Sequence, residues 1–255
     1  MRLIKKEFPK DLEKLYILPI SDIHYGDPLC DIGKLDRYLN WAKENNAYLI
    51  LNGDLADCAL INSIGNVYRQ KINPQEQLDF LYEYFKPWKE KILGIVSGNH
   101  ELRIFRSSGI DITKELARLL EVEYDMDSLI LKISLGSDRG RKSRQVSYLI
   151  YITHGWGNGR TAGAKINMIE SLNGIVSNAD IYIASHIHKA IASQNIIFWV
   201  DDKNNSIIQK KQFFISSGSF LNYGDYAERK GYRPAKMGTI RIRLDGTRKD
   251  VHIAM

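Results

Sequence analysis

The sequence predicts an α/β fold in which two mixed β-sheets form a sandwich flanked by helices. The first half alternates short apolar runs with amphipathic segments, which is typical of βαβ units with parallel strands. The second half is richer in strand-like segments. The chain has no internal repeat, linker or low-complexity tract, and 255 residues suit one α/β domain, so we predict a single domain over residues 1–255.

In the first half, the periodicity predicts three buried strands separated by helices. The strands are short apolar runs at residues 15–20, 47–51 and 92–97. The helices are predicted over residues 35–43 and 74–85, with a further helix starting after Asp111 as the candidate N-cap. Pro74 lies in the first turn of the second helix, where proline is tolerated, and Pro87 helps to end that helix.

In the second half, strands predominate and one helix is expected. Residues 129–133 and 145–152 are predicted to form a hairpin whose tip is the polar segment 136–144. A helix over residues 164–176 and a strand over 181–184 follow. The remaining strands, which we expect to be antiparallel, cover residues 196–200, 206–215 and 238–244.

Five of the six histidines fall in short polar segments, each placed where a predicted strand ends; only His252 does not. Loops held by a rigid sheet are where functional side chains are usually placed. The segments supply oxygen and imidazole ligands, which suit Mn, Fe, Zn or Ni. They are Ser21-Asp22-Ile23-His24, Asn52-Gly53-Asp54, Gly98-Asn99-His100-Glu101, His154-Gly155 and His186-Ile187-His188.

Two aspartates, one asparagine and four histidines are too many ligands for one tetrahedral ion, but they suit two ions that share a carboxylate. Two divalent ions roughly 3.5–4 Å apart form a clamp for in-line displacement at phosphorus, and they lower the pKa of a bound water. They also neutralise the charge that builds on the phosphoryl oxygens. The segments therefore predict a two-metal site for phosphate chemistry at one edge of the sheets.

The order of these segments resembles the calcineurin-like metallophosphoesterases. All five blocks occur in order from Asp22 to His188, about two thirds of the chain. The resemblance implies a dinuclear phosphoric ester hydrolase that acts through a metal-bridging hydroxide. It implies a first metal held by Asp22, His24 and His188, and a second held by Asn99, His154 and His186. Asp54 would bridge the two metals, and His100 would protonate the leaving oxygen, a role its ordinary pKa near 6.5 permits.

Three segments depart from the family pattern. Ser185 stands before the His-x-His block, where glycine is typical, and Glu101 stands where aspartate is more common. Ser216-Ser217-Gly218-Ser219 resembles the Asn-Pro-Gly-Ser turn of small bacterial members only in its last two residues. None of these departures removes an expected ligand.

The charge pattern suggests a polyanionic substrate. The net charge is +6, with basic residues crowded in segments 139–144 and 229–236, the latter accompanied by Tyr223, Tyr226 and Tyr232. Nearer the predicted metals, we expect three side chains to bind substrate phosphate: Arg103, Arg160 and Lys165. A solvated polar hairpin or loop explains either distant basic segment equally well.

Three functions remain open. The first is a phosphoesterase acting on nucleic acid or a nucleotide, such as DNA or RNA. The second is a phosphomonoesterase for phosphoproteins or small metabolites, which Gly-Asn-His-Glu favours. The third is a binding module whose metal site is only structural.

Composition excludes several other classes of protein. A hydrophobic content of 44% with 26% charged residues excludes a disordered or collagen-like chain, and no run approaches the roughly 18 apolar residues of a membrane span. We expect no signal peptide, since the apolar run after the basic start is short and ends in Asp22. Two cysteines form no disulfide framework, which predicts a cytoplasmic protein. Mn²⁺ is the favoured metal, with Fe, Zn or Ni as alternatives, and the oligomeric state is open.

Overall fold

Twelve strands and six α-helices form the computed structural model, which describes residues 1–61, 63, 67–140, 144–157, 159, 161–229 and 231–255. The strands are β1 Arg2–Glu7, β2 Lys14–Ile20, β3 Tyr48–Asn52, β4 Ile92–Val96, β5 Tyr124–Asp125, β6 Ser128–Leu135, β7 Val146–Thr153, β8 Ile181–Ala184, β9 Ile191–Asp201, β10 Ser206–Ser216, β11 Arg241–Asp245 and β12 Val251–Ala254. The helices are α1 Ile32–Glu44, α2 Pro74–Phe85, α3 Glu101–Ser108, α4 Ile112–Leu120, α5 Ala162–Glu170 and α6 Asp225–Arg229.

The strands form two six-stranded sheets of mixed direction, as predicted. Sheet I has the order β12-β11-β2-β3-β4-β5, and sheet II has the order β1-β6-β7-β8-β10-β9. In sheet I, the strands β2, β3 and β4 are parallel, which confirms the βαβ prediction. In sheet II, β6 pairs antiparallel with β7 and β9 with β10, while β8 runs parallel to both β7 and β10.

The main core lies between the two sheets. Ile50 of β3 packs in this core with Ile150 of β7 and Ile183 of β8, and all three are fully buried. Leu49 and Leu51 point to the opposite face of sheet I, where they pack in a second core that includes residues of α1, α2 and α4. Because successive strand residues face opposite sides, a strand covered on both faces must be apolar throughout, which explains the unbroken apolar run.

Side-chain caps fix the starts of the helices that cover sheet I. The Asp111 carboxylate accepts the Lys114 N–H at the start of α4, which confirms the predicted N-cap. At α2, Asn73 accepts from the backbone N–H of Glu76, whose side chain accepts the N–H of Asn73. This capping box precedes Pro74 and was not predicted.

The structure differs from the sequence prediction at several elements. The helix predicted over 164–176 is α-helical only over Ala162–Glu170 and tightens into a 3₁₀ turn over Ser171–Gly174. Strands β1, β5 and β12 and helices α3 and α6 were not predicted. The expectation that the strand over 206–215 is antiparallel is only partly right, because β10 pairs antiparallel with β9 but parallel with β8. None of the helices in the described part of the chain has the length and apolar character needed to cross a bilayer.

Candidate metal centre

Every predicted ligand follows the carboxyl end of a strand. Asp22 and His24 follow β2, Asp54 follows β3, and Asn99 follows β4, so sheet I supplies four of the seven. Sheet II supplies the other three, with His154 after β7 and both His186 and His188 after β8. Because these strands are parallel within each sheet, their carboxyl ends lie together, and the structure brings all seven side chains to one place.

Five of the seven ligands have a left-handed backbone conformation. Their φ angles lie between 49° and 67°, in a region that non-glycine residues occupy rarely. These residues are Asp22 (49°), His24 (51°), Asp54 (50°), His186 (67°) and His188 (51°). Each such residue costs on the order of 1–3 kcal/mol, and this kind of strain clusters at functional sites. The left-handed conformation turns the chain sharply at these positions.

The loops after β3 and β4 contact each other through their backbones. A Cβ atom at Gly98 would lie 2.1 Å from the Asp54 nitrogen, and a Cβ atom at Gly53 would lie 2.6 Å from the Gly98 nitrogen. Gly53 also has a φ of +78°. Both positions therefore require glycine, and this close approach places Asp54 beside Asn99.

The first group of donor atoms consists of Asp22, His24 and His188. The Nε2 atoms of His24 and His188 are 3.1 Å apart, and Asp22 Oδ1 lies 3.2 Å from His188 Nε2. Donors that bind one ion at about 2.1 Å lie roughly 3–3.5 Å apart, which these two spacings match. The third pair, Asp22 Oδ1 and His24 Nε2, is wider at 3.9 Å. Asp22 and His24 are buried and His188 is half-buried.

The second group consists of Asn99, His154 and His186. Asn99 Oδ1 lies 2.7 Å from His186 Nδ1 and 3.2 Å from His154 Nε2. Asp54 Oδ2 is 3.2 Å from His154 Nε2 and 4.0 Å from His24 Nε2, so this oxygen faces both groups. Asp54 Oδ2 therefore lies between the two groups of donor atoms.

The chemistry of the donors also fits cations. Asp22 Oδ1 is fully buried and has no hydrogen-bond partner in the described part of the chain, which is costly for a carboxylate. Burial, together with the nearby charge of His100, lowers the pKa of His24 to about 4, so its imidazole is neutral near pH 7. The Nε2 atoms of His24 and His188 face each other at 3.1 Å, so either one donates a proton to the other or both bind a metal ion.

His154 and Asp54 form a tightly coupled pair. Burial disfavours the charged form of His154, but the neighbouring Asp54 carboxylate raises the pKa of His154 to about 10. Burial likewise opposes ionisation of Asp54, yet the charges of His154 and His100 hold its pKa well below 3.8. The Nδ1 atom of His154 faces the Asn52 carbonyl oxygen at 2.8 Å, which leaves Nε2 free to bind a metal.

His100 lies at the edge of the centre, beside a carboxylate that sequence reasoning missed. His100 Nδ1 is 2.8 Å from the Asp57 carbonyl oxygen and 3.1 Å from Asp57 Oδ1. His100 Nε2 points toward the donor groups, 3.8 Å from Asp54 Oδ2. Burial lowers the pKa of His100, but the Asp54 charge and the hydrogen bond to Asp57 outweigh it and raise that pKa above 6.5. The available signal was the spacing Asp54-x-x-Asp57.

The three predicted phosphate-binding side chains have different surroundings. Arg103 Nη2 lies 2.9 Å from His100 Nε2, so this guanidinium is next to the centre. Lys165 Nζ instead donates to the carbonyl oxygen of Ile187 at 2.8 Å and holds the loop between His186 and His188. Arg160 lies outside the described residues, as do Arg141, Lys142 and Lys230 of the two distant basic segments.

Glu101 has a structural role that the sequence did not reveal. Its buried carboxylate accepts four backbone N–H groups, from Asp54, Leu55, Ala56 and Gly98, at 2.6–3.0 Å. These bonds hold the turn at Asp54 against the loop after β4. Glu101, which stands where aspartate is more common, therefore stabilises the loops beneath the predicted metal ligands.

Three serines link the loops of the two sheets below the ligands. Ser217 Oγ lies 2.6 Å from Ser21 Oγ and 2.8 Å from Ser185 Oγ. Ser21 donates to Asp22 Oδ2 at 2.5 Å, and Asn52 Nδ2 donates to Ser185 Oγ at 2.6 Å. Ser185, where the family has glycine, therefore adds a hydroxyl to a buried network that fixes Asp22.

Comparisons with known proteins find several distant similarities. Similar solved structures include Vacuolar Protein Sorting 29 from Cryptosporidium parvum, with 14% identity over 95% of this chain and 97% of that chain (TM-score 0.47). A predicted phosphoesterase from Streptococcus pneumoniae is 17% identical over 96% and 91% (TM-score 0.39). A metallophosphoesterase from Sphaerobacter thermophilus is 12% identical over 94% and 88% (TM-score 0.40). No curated protein matches the sequence.

The family of this chain is assigned from its match to a family model. The model of the calcineurin-like phosphoesterases matches residues 15–190, which is more than half of the chain. The matched range contains all seven predicted metal ligands as well as Asp57 and His100. The chain belongs to the calcineurin-like phosphoesterase family.

Proposed function

We propose that the protein is a phosphoesterase that uses two divalent cations held by the seven predicted ligands. The observation that carries this proposal is the position of Asp54 Oδ2, 3.2 Å from His154 Nε2 and 4.0 Å from His24 Nε2, between two complete donor groups. When bound, the cations supply Lewis acidity toward the phosphoryl oxygens and bring the pKa of a water near neutrality. Mn²⁺ is the first cation to test, since the donors are oxygen and imidazole nitrogen.

His100 is the proposed general acid. Asp57 accepts the Nδ1 proton, which fixes the tautomer and the ring orientation and leaves Nε2 directed toward the centre. In the charged form, Nε2–H donates its proton to the oxygen that leaves phosphorus. The raised pKa of His100 keeps a larger share of the imidazole protonated near neutral pH.

Arg103 is the proposed phosphate clamp. Arg103 Nη2 donates to His100 Nε2 at 2.9 Å, so this nitrogen is the acceptor, and Arg103 Nη1 donates to the Asp57 carbonyl oxygen at 3.4 Å. A phosphate that takes over the Arg103 donors would release Nε2, which could then carry the proton for the leaving oxygen. A phosphate oxygen there can accept from Arg103 and from His100 together. Arginine binds phosphate through two parallel N–H donors, which would orient the ester for in-line attack.

Nucleic acid or a nucleotide is the proposed substrate. The net charge of +6 attracts polyanions, and Trp156, two residues after His154, exposes 48% of its surface. An exposed indole beside a phosphate site can stack on a base. The Gly-Asn-His-Glu segment does not favour monoesters over diesters, because Glu101 is buried under the loops and faces no substrate.

The discriminating experiment compares the Mn²⁺-loaded protein on p-nitrophenyl phosphate and bis-p-nitrophenyl phosphate, and measures its binding to single- and double-stranded DNA and RNA. We expect diester turnover, and affinity for a nucleic acid that falls steeply with salt. Trp156→Ala should weaken binding by about 1–3 kcal/mol per stacked base, and Trp156→Phe should retain most of it. Monoester turnover with no salt-dependent binding would support a phosphomonoesterase instead. No turnover of either ester by metal-loaded protein would leave only a binding module.

A further inference from the structure

Strand β9 forms one edge of sheet II and extends well beyond it. β9 and β10 pair antiparallel over 11 residues each, but only residues Phe213 to Ser216 of β10 pair with β8. The distal two thirds of this hairpin therefore project from the sheet as a two-stranded ribbon. Isolated two-stranded ribbons are marginally stable in water, so such a projection needs further contacts.

The ribbon exposes large apolar side chains. On one face, Ile196, Phe198 and Val200 of β9 and Ile207 of β10 expose 55%, 70%, 69% and 71% of their surfaces. On the opposite face, Trp199 and Ile208 are each 40% exposed. Contiguous apolar patches of this kind mark interaction sites on soluble proteins.

The edge of β9 also lacks the protection found at the other sheet edges. Residues 191–200 contain no charged residue, no proline and no glycine. By contrast, the edge strand β1 carries Arg2, Lys5, Lys6 and Glu7, while the edge strands β12 and β5 are only 4 and 2 residues long. Proteins usually block strand edges with charge or shortness, because a free edge pairs readily with another strand.

We propose that β9 pairs with β9 of a second copy of this chain. Two identical strands related by a two-fold axis run antiparallel, so they would join two copies of sheet II edge to edge. The alternation of side chains would then place Ile196, Phe198 and Val200 of both copies on one face. The pairing brings no like charges together, because β9 is uncharged up to Asp201.

The available surface fits a dimer. Four of the six exposed side chains, those of Ile196, Phe198, Trp199 and Val200, belong to the edge strand itself and flank the line along which a second copy would pair. Strand hydrogen bonds along the edge add to this. Two lysines of β10 lie near the apolar side chains, and each has a partner within its own chain. Lys211 Nζ lies 3.4 Å from Asp250, and Lys210 Nζ lies 3.9 Å from the centre of the Trp199 ring.

Sedimentation velocity over a hundredfold range of protein concentration tests the proposal. We expect a species near twice the 29.3 kDa mass of the chain, in reversible equilibrium with monomer. A wild-type protein that stays monomeric over the whole range overturns the proposal.

A matched pair of variants tests the edge itself. Phe198 on β9 and Ile207 on β10 lie on the same face with nearly equal exposure, but only Phe198 belongs to the edge strand. Phe198→Lys should raise the dimer dissociation constant at least tenfold, and Ile207→Lys should change it less than threefold. Equal loss with both variants would mean packing through the face and would overturn strand pairing.

Hydrogen exchange of the wild-type protein tests the same strand pairing without a substitution, so the result does not depend on whether a variant folds correctly. The amides of residues 191–200 should exchange more slowly at high protein concentration than at low concentration, while those of β1 should not change. Exchange in β9 that does not depend on concentration contradicts the proposal.

Discussion

The imidazole of His100 is fixed by Asp57, whose carbonyl oxygen and carboxylate lie 2.8 Å and 3.1 Å from His100 Nδ1. This leaves Nε2 as the only ring nitrogen directed at the donor groups, 3.8 Å from Asp54 Oδ2. Asp57 touches no predicted substrate position, so it acts through His100 as a positioning residue.

Replacing Asp57 by asparagine should lower kcat by about 10- to 100-fold. The metal content of the same samples is measured as well, because Asp57 Oδ1 also lies 3.8 Å from His24 Nδ1. The charge of Asp57 helps to raise the pKa of His100, so its loss lowers that pKa. Activity that needs protonated His100 then declines at lower pH, and the alkaline limb of the pH–kcat profile should shift toward acid. Asp27→Asn is the control, since Asp27 accepts the Leu29 N–H and no histidine bonds to it. An unshifted limb in Asp57→Asn would contradict this role.

Replacing His100 by alanine should slow hydrolysis by roughly 10²–10⁴-fold, the usual contribution of a general acid. The loss should be large for an alkyl phosphate ester and small for p-nitrophenyl esters, because p-nitrophenolate leaves without a proton. Metal content is checked by mass spectrometry of the same samples. Equal losses on both leaving groups would show that His100 acts in some other way.

Replacing Asp54 and replacing Asp22 should abolish the binding of different numbers of cations. Because Asp54 Oδ2 faces both donor groups, Asp54→Ala should abolish binding at both sites. Asp22 belongs to the first group alone, so Asp22→Ala should retain the second cation. Elemental analysis after dialysis measures the stoichiometry. Retention of one cation by Asp54→Ala would rule out a shared carboxylate.

Metal binding should release a proton. The raised pKa of His154, about 10, keeps its imidazole protonated at pH 7 in the metal-free protein, whereas a ligand must be neutral. Affinity for Mn²⁺ should therefore rise with pH up to about 10 and then level off. Calorimetry in two buffers with different ionisation enthalpies measures the protons released. An enthalpy independent of buffer would contradict a protonated His154.

Glu101→Gln should destabilise the metal-free protein by about 3 kcal/mol, because an amide replaces a carboxylate that accepts four backbone N–H groups. The amide nitrogen cannot accept, so at least one buried N–H loses its partner. Urea unfolding measures the change. Glu115→Gln is the control, since that carboxylate lies at the surface and its partner among the described residues is Arg118. A change below 1 kcal/mol would mean that the loops rearrange around the amide.

The strands that carry ligands could be predicted because burial on both faces leaves a continuous apolar run, as in β3. Their polar continuations then had to meet at one edge, since parallel strands end together. Strands β1 and β12 could not be predicted in this way. β1 is largely charged and exposed, and its pairing with β6 depends on residues more than a hundred positions away.

The polar groups that support the predicted ligands could not be predicted from sequence periodicity either. Ser21 and Ser217 are 196 positions apart and meet only because β2 and β10 end side by side. Asp57 and Glu101 lie in a loop and at a helix start, where no repeating pattern marks a buried carboxylate. Candidate ligands could thus be chosen from residue types, whereas the framework that orients them depends on the folded topology.

Each donor group draws from both sheets: His188 of sheet II joins Asp22 and His24 of sheet I, and His154 and His186 of sheet II join Asn99 of sheet I. A bound ion is therefore a cross-link between two halves of the molecule, and its binding free energy adds to resistance against unfolding by mass action. Removal of the ions by a chelator would weaken that cross-link and abolish turnover at the same time. The supply of metal would then govern how long each chain survives proteolysis as well as how fast it works.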